Sequence, residues 1–175
     1  LVLKGLINLS STRFPRGTRA PLLDAIARAP IWAAGIDYGH GTGHGVGYFM
    51  NVHEGPQVIS WHAPVLPQGA LKVGMITSIE PGIYRPGKWG IRIENLVVNQ
   101  PVANPQETEF GQFLHFEPLT LCPIDTRLMD TALMTPTEIQ WVNAYHALVR
   151  EKLAPRLQGA ALAWLETRTQ PLAKG

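Results

Sequence analysis

One cysteine, Cys122, in 175 residues leaves no internal disulfide to be made. It points to a reducing compartment, and the expected location is cytoplasmic. No apolar run approaches the ~18 residues that read as a membrane span, so no membrane partner is expected. Neither charge dominates: 15 Lys and Arg stand against 13 Asp and Glu, a net charge of +2, with the basic residues scattered. That pattern gives no nucleic-acid footprint. Charged residues make up only 16% of the chain and hydrophobic ones 45%, which excludes disorder as the main state. Common catalytic signatures are missing as well: there is no G-x-S-x-G, H-E-x-x-H, C-x-x-C or G-x-G-x-x-G. Gly82 to Lys88 has the G-x-x-x-x-G-K spacing of a phosphate-binding loop, but Trp89 stands where Ser or Thr would hold magnesium. Leu1 is not an initiator Met, and Leu1–Lys4 lacks the order of a signal peptide, so the chain reads as a piece of something longer.

Glycine and proline, by contrast, are plentiful at 17 and 15, and they sit inside apolar segments. Leu1–Leu9 reads as the end of a helix. Leu22, Leu23, Ile26 and Ala27 repeat at helical spacing up to Pro30 and predict a short helix. From Ile36 to Val52, glycines interleave with Val46, Tyr48, Phe49, Met50 and Val52, which reads as strand material that something approaches closely. Met75–Glu80 and Ile91–Val98 predict adjacent strands across the turn-rich Pro81–Lys88. Phe113–Leu121 predicts a third strand, placed on the outside of the sheet because Pro118 disfavours a central position. Thr135-Pro136-Thr137-Glu138 is a capping box with Pro at the first helical position, and Ile139, Val142, Tyr145 and Val149 follow on one helical face. Beyond Pro155, Leu157, Ala160, Ala161, Trp164 and Leu165 continue a second stripe. Helix, Gly-rich segment, paired strands and a helical tail make an α+β chain.

Three of the six histidines, His40, His44 and His53, fall within fourteen residues among glycines that leave space around the imidazoles. Glu80 and Glu94 each sit in an otherwise apolar strand. If the sheet is covered on both faces they are buried and need a cation, either Arg92 or a metal. On the local pattern alone, a Glu80 or Glu94 ion pair with Arg92 and a solvated face remain open beside the metal reading. Imidazole and carboxylate together suit manganese, cobalt, iron or zinc, which makes metal-assisted hydrolysis the leading class.

Asp37-Tyr38-Gly39-His40-Gly41-Thr42-Gly43-His44-Gly45-Val46-Gly47, Asn51-Val52-His53-Glu54-Gly55-Pro56, Ile79-Glu80-Pro81-Gly82-Ile83-Tyr84 and Gly90-Ile91-Arg92-Ile93-Glu94-Asn95 resemble, in order and spacing, the aminopeptidase P family of pita-bread metallopeptidases. The tail from about Leu114 resembles that family's C-terminal extension. The resemblance implies the second half of a pita-bread catalytic domain over residues 1–113 and a helical extension over 114–175. By motif it implies His44, Glu80 and Glu94 as metal ligands, with Glu80 as general base and Glu94 bridging two ions. It implies catalytic roles for His53 and Arg92, and His40, His53 and Tyr84 around the substrate. The implied cofactors are two divalent ions, manganese foremost with zinc or cobalt as alternatives. The implied reaction is hydrolysis of an N-terminal Xaa-Pro bond by a metal-bridging hydroxide, on peptides with proline second. The family's site has five protein ligands, and two aspartates that complete it match neither Asp24 nor Asp37. The chain as it stands is therefore expected to be inactive. The alternatives are a metal-free pita-bread binding or dimerisation module and a prolidase-like dipeptidase. A homodimer contact through the C-terminal region is expected from Trp141, Tyr145, Trp164 and Leu165.

Overall fold

The computed structural model describes residues 1–103 and 107–173. They form two compact units, Leu1–Thr120 and Leu121–Gly175. In the first, α1 (Val2–Ser10) packs on α2 (Asp24–Trp32). Gly5 permits the close crossing, because a Cβ there would lie 2.5 Å from the backbone oxygen of Ala27. The expected α2 stops at Pro30, yet the helix runs through it to Trp32. Its buried stripe is also rotated from the expected one, to Asp24, Ala27, Arg28 and Ile31, while Leu22 is exposed in the 3₁₀ turn Ala20–Leu23.

A four-stranded antiparallel sheet has the order β1 (Arg13–Pro15), β8 (Phe113–Pro118), β7 (Asn95–Pro101) and β4 (Ile76–Ile79). The β4 and β7 pairing matches the sequence reading, with Thr77 opposite Val97. Two expectations need correction. The segment Ile91–Val98 is not one strand: it breaks at Ile93–Glu94, where β6 (Trp89–Arg92), paired with β5 (Gly82–Arg85) in a separate hairpin, gives way to β7. In addition, β8 is interior rather than outermost, because the three-residue β1 pairs with Phe113–His115 along its other side. Pro118 is compatible with that position. Leu119 N–H donates to Leu96 O, and successive N–H groups alternate sides, so the nitrogen of Pro118 faces away from β7 and beyond the end of β1.

The Gly-rich segment holds only the two-residue β2 (Gly43–His44), paired with β3 (Val58–Ile59). Tyr48, Phe49, Met50 and Val52 lie exposed in a loop, correcting the expected strand. The glycines do what was expected of them. A Cβ at Gly43 would run into the backbone oxygen of Ser78, and one at Gly45 into that of Glu54.

In the second unit, α3 (Pro136–Leu153) begins with the complete capping box of Thr135 and Glu138. A 3₁₀ turn containing Pro155 separates it from α4 (Gly159–Arg168). Tyr145, Val149 and Leu165 form the unit's core, with Trp141 packed against it, while Trp164 is exposed. Among the described residues no helix is long and apolar enough to cross a membrane.

Candidate metal and peptide site

The histidine segment is fastened to β4 by its backbone. Glu80 N–H donates to Thr42 O at 2.7 Å, and Val46 N–H to Ile76 O at 3.0 Å. With no side chain at Gly43, the two backbones approach closely enough for His44 to meet Glu80, which directly follows β4. His44 Nε2 lies 3.1 Å from Glu80 Oε1. Its Nδ1 lies 2.9 Å from the carbonyl oxygen of Gly45. A carbonyl only accepts, so Nδ1 carries a proton and Nε2 is the nitrogen that faces the carboxylate oxygen. A proton or a cation between Nε2 and Oε1 would satisfy both. The two atoms are close enough to act as neighbouring ligands of one ion.

Ser78, two residues before Glu80, joins these groups. Its Oγ accepts from His44 N–H at 3.0 Å and donates to Glu80 Oε1 at 3.0 Å. The signal in the sequence was its period-two spacing from Glu80 on a strand, which puts both on one face. Glu80 Oε2 faces Arg92 Nη1 at 3.5 Å, so the ion pair that the local pattern left open also forms. Arg92 Nε donates to Tyr84 Oη at 3.0 Å, and Tyr84 Oη lies 2.8 Å from His40 Nε2. His40 Nδ1 is 2.8 Å from Gly41 O and so carries the proton, leaving Nε2 to accept from the tyrosine hydroxyl. The hydrogen bond donated to Tyr84, with the negative charges of Glu80 and Glu94, raises the Arg92 pKa against partial desolvation. Tyr84 lies across its own hairpin, where a Cβ at Gly82 or Gly90 would collide with its ring or hydroxyl. His53 completes the group, with its ring centroid 4.4 Å from that of His44.

Six of the residues singled out in the sequence thus come together: His40, His44, His53, Glu80, Tyr84 and Arg92. Glu94 is placed differently. It is exposed at the break between β6 and β7, which corrects the expectation of burial, and it reaches the group through its charge on Arg92. Among the described residues no three His, Cys, Asp or Glu side chains converge to hold an ion by themselves. The donors present fit part of a coordination sphere, namely one imidazole nitrogen and one carboxylate.

Sequence reasoning passed over a buried pair beneath this group. Arg28 and Asp24 are fully buried, with Arg28 Nε on Asp24 Oδ2 at 2.9 Å. Arg28 Nη1 also donates to Asp37 Oδ1 at 2.7 Å and Tyr38 O at 2.8 Å, and Nη2 donates to His40 O at 2.5 Å. Asp24 accepts from Thr42 Oγ1 and from Trp61 N–H, the latter at 2.6 Å. Burial pushes the Tyr38 hydroxyl up to about 12, outweighing its Thr42 hydrogen bond and the Arg28 charge.

The profile of metallopeptidase family M24 matches residues 1–101, and that of the C-terminal region of peptidase M24 matches residues 112–172. The chain is 47% identical over 173 residues to a probable Xaa-Pro aminopeptidase P of Coprinopsis cinerea, covering 98% of this chain and 28% of that protein. It is 47% identical over 175 residues to aminopeptidase P2 of Arabidopsis thaliana, covering 99% of this chain and 24% of that one. Among solved structures, the X-prolyl aminopeptidase of Caenorhabditis elegans, described as a cytosolic enzyme with a di-nuclear active site, superposes with a TM-score of 0.88 at 41% identity. That match covers 98% of this chain and 28% of the enzyme. The chain therefore spans about a quarter of the length of these relatives. Its mixed helix-and-strand unit and helical C-terminal part match the pita-bread fold of aminopeptidase P. On these matches, which span both units, the chain belongs to metallopeptidase family M24.

Proposed function

We propose that these residues form part of a dinuclear Xaa-Pro aminopeptidase site, acting on peptides with proline in second position. The observation that carries this reading is the His44 Nε2 to Glu80 Oε1 approach of 3.1 Å, with the imidazole tautomer fixed by Gly45 O. His44 and Glu80 would hold an ion, and Glu94 would join them once further ligands draw it in. Bound divalent ions, manganese foremost, would polarise the scissile carbonyl and lower the pKa of water. The chain's own groups supply the rest. Arg92 offsets the Glu80 charge and orients its Oε2. Tyr84 transmits the position of Arg92 to His40. An Xaa-Pro bond has no N–H to offer, so recognition falls on its carbonyl and on the proline ring. His40 and His53 are the imidazoles available for that task, and Glu80 is the base nearest the ligand nitrogen. The cytosolic setting described for the nematode relative, together with the single cysteine, favours a cytoplasmic enzyme.

With only two donors converging, the 175-residue chain alone should hold manganese weakly and substoichiometrically and show negligible peptidase activity. Manganese titration followed by elemental analysis after desalting tests this. Weak binding that disappears in His44→Ala and Glu80→Gln is expected. Binding unchanged by both substitutions would remove the ligand assignment, and two tightly held ions would overturn the partial-site reading. A homodimer contact through the C-terminal region would rest on exposed Trp164, since Tyr145 and Leu165 are used within their own unit. In sedimentation, Trp164→Glu should then shift the sedimenting mass from dimer to monomer, and an unchanged mass would exclude that residue.

A further inference from the structure

We propose that the buried Asp24–Arg28 pair is a positioning device for His40, setting where that imidazole stands rather than merely stabilising the fold. The guanidinium spreads over four acceptors: the carboxylates of Asp24 and Asp37 and the backbone oxygens of Tyr38 and His40. Nη1 takes the Tyr38 carbonyl and Nη2 the His40 carbonyl, so the planar fork of one arginine grips both ends of the bend at Tyr38-Gly39-His40. The guanidinium carbon also sits 3.8 Å from the centroid of the Tyr38 ring, and that ring lies 4.9 Å from the His40 ring. His40 is thereby fixed at three points: its backbone oxygen by Arg28, its Nδ1 by Gly41 O, and its Nε2 by Tyr84 Oη. Only the first is rooted in a helix of the core.

Asp24 extends the same control to the neighbouring segments. Its carboxylate receives Thr42 Oγ1, midway between His40 and His44, and the backbone N–H of Trp61 just after β3. Thr42 O in turn receives Glu80 N–H. Helix α2 therefore reaches the His40 loop directly and the β2 and β4 ends through one residue.

A buried ion pair is weak grounds for stability, since well-packed apolar side chains often serve as well. An apolar pair could not hold two backbone carbonyls and a backbone N–H in place. A lysine would keep the charge while losing the planar fork, so Arg28→Lys separates charge from geometry. The inference rests on the proposed reading only for the use to which His40 is put; its test does not depend on peptidase activity.

The experiment is nuclear Overhauser spectroscopy on the full 175-residue chain, following the contact between the His40 and Tyr84 rings, whose centroids lie 5.4 Å apart. In Arg28→Lys the His40–Tyr84 cross-peak should be lost, while the His44–His53 contact at 4.4 Å persists as an internal reference. A folded Arg28→Lys chain that keeps both cross-peaks and only melts earlier would overturn the proposal, leaving a structural role. If Arg28→Lys does not fold, Asp37→Asn is read in the same way. It weakens the exposed anchor of Nη1 and leaves the Asp24 contact intact, and the His40–Tyr84 cross-peak should weaken. An unchanged cross-peak there overturns the proposal too. Failure of the unsubstituted chain to bind manganese at all, with the cross-peak lost in Arg28→Lys, would strike the proposed function and leave this inference standing.

Discussion

The two units are stabilised in different currencies of residue. In residues 1–120, polar groups reach the deepest positions: Asp24, Arg28, Thr42, Thr77, Ser78 and Asn99 are wholly buried. In residues 121–175 the buried side chains are mostly apolar, among them Ile139, Val142, Tyr145, Val149 and Leu165, with Trp141 stacked on Tyr145 and His146 as the one wholly buried polar side chain among the described residues. Beside an apolar interior that includes Leu6, Leu9, Phe14, Ile31 and Leu114, the first unit buries polar groups that hold backbone and side chains at one place. The second follows local helix rules. A single polar substitution should therefore damage the first unit more than the second.

The largest effect is expected for Arg28→Met, which strands the Asp24 carboxylate without its cation. Removing one partner of a buried pair costs about 3–5 kcal/mol, to be read from urea unfolding followed at Trp32 and Trp61. A loss below about 1 kcal/mol would erase the contrast between the units. Leu165→Ala should cost about 2–5 kcal/mol, in the second unit alone, as a cavity in a small core. Gly43→Ala forces a methyl group toward the Ser78 carbonyl and should cost about 1–3 kcal/mol while weakening manganese retention through displacement of His44. Thr135→Ala removes the acceptor for Glu138 N–H and should cost about 1 kcal/mol, visible as fraying of α3 by hydrogen exchange.

The gentlest test uses pH. Burial, joined by the positive charge of Arg150, holds the His146 pKa below its ordinary value. Its Nε2 accepts from Ile124 N–H at 3.1 Å, which requires the neutral ring. The unfolded chain therefore binds the proton more readily. Stability of the second unit should be fully present above about pH 6.5 and fall as pH drops below it. His146→Gln should flatten that profile in circular dichroism, and an unchanged profile would show that His146 is not its source.

What was legible in the sequence follows the same division. The capping box, the α3 stripe and the break at Pro155 are local signals, and they are realised as read. Pairing of β4 with β7 was legible because both runs carry strand-forming residues around a turn. The role of β1 was not, since three residues with a proline carry no period. The Gly-rich segment showed its purpose, close approach of backbone, but not its conformation, because glycine spacing alone does not distinguish a strand from a tight loop. His40, His44, His53, Glu80, Tyr84 and Arg92 were legible through their motifs, whereas Glu94 lies at a strand break that alternation concealed. Asp24 and Arg28 look like an exposed helical ion pair at four-residue spacing. Their position on the stripe with Ala27 and Ile31 was the overlooked sign of burial.

Pro118 has one further consequence. β1 shields only the first three residues of β8, and past that point the proline offers no N–H on the unshielded side. A foreign strand arriving there finds no donor at 118 with which to continue a ladder, so the residue works as a stopper against edge-to-edge aggregation.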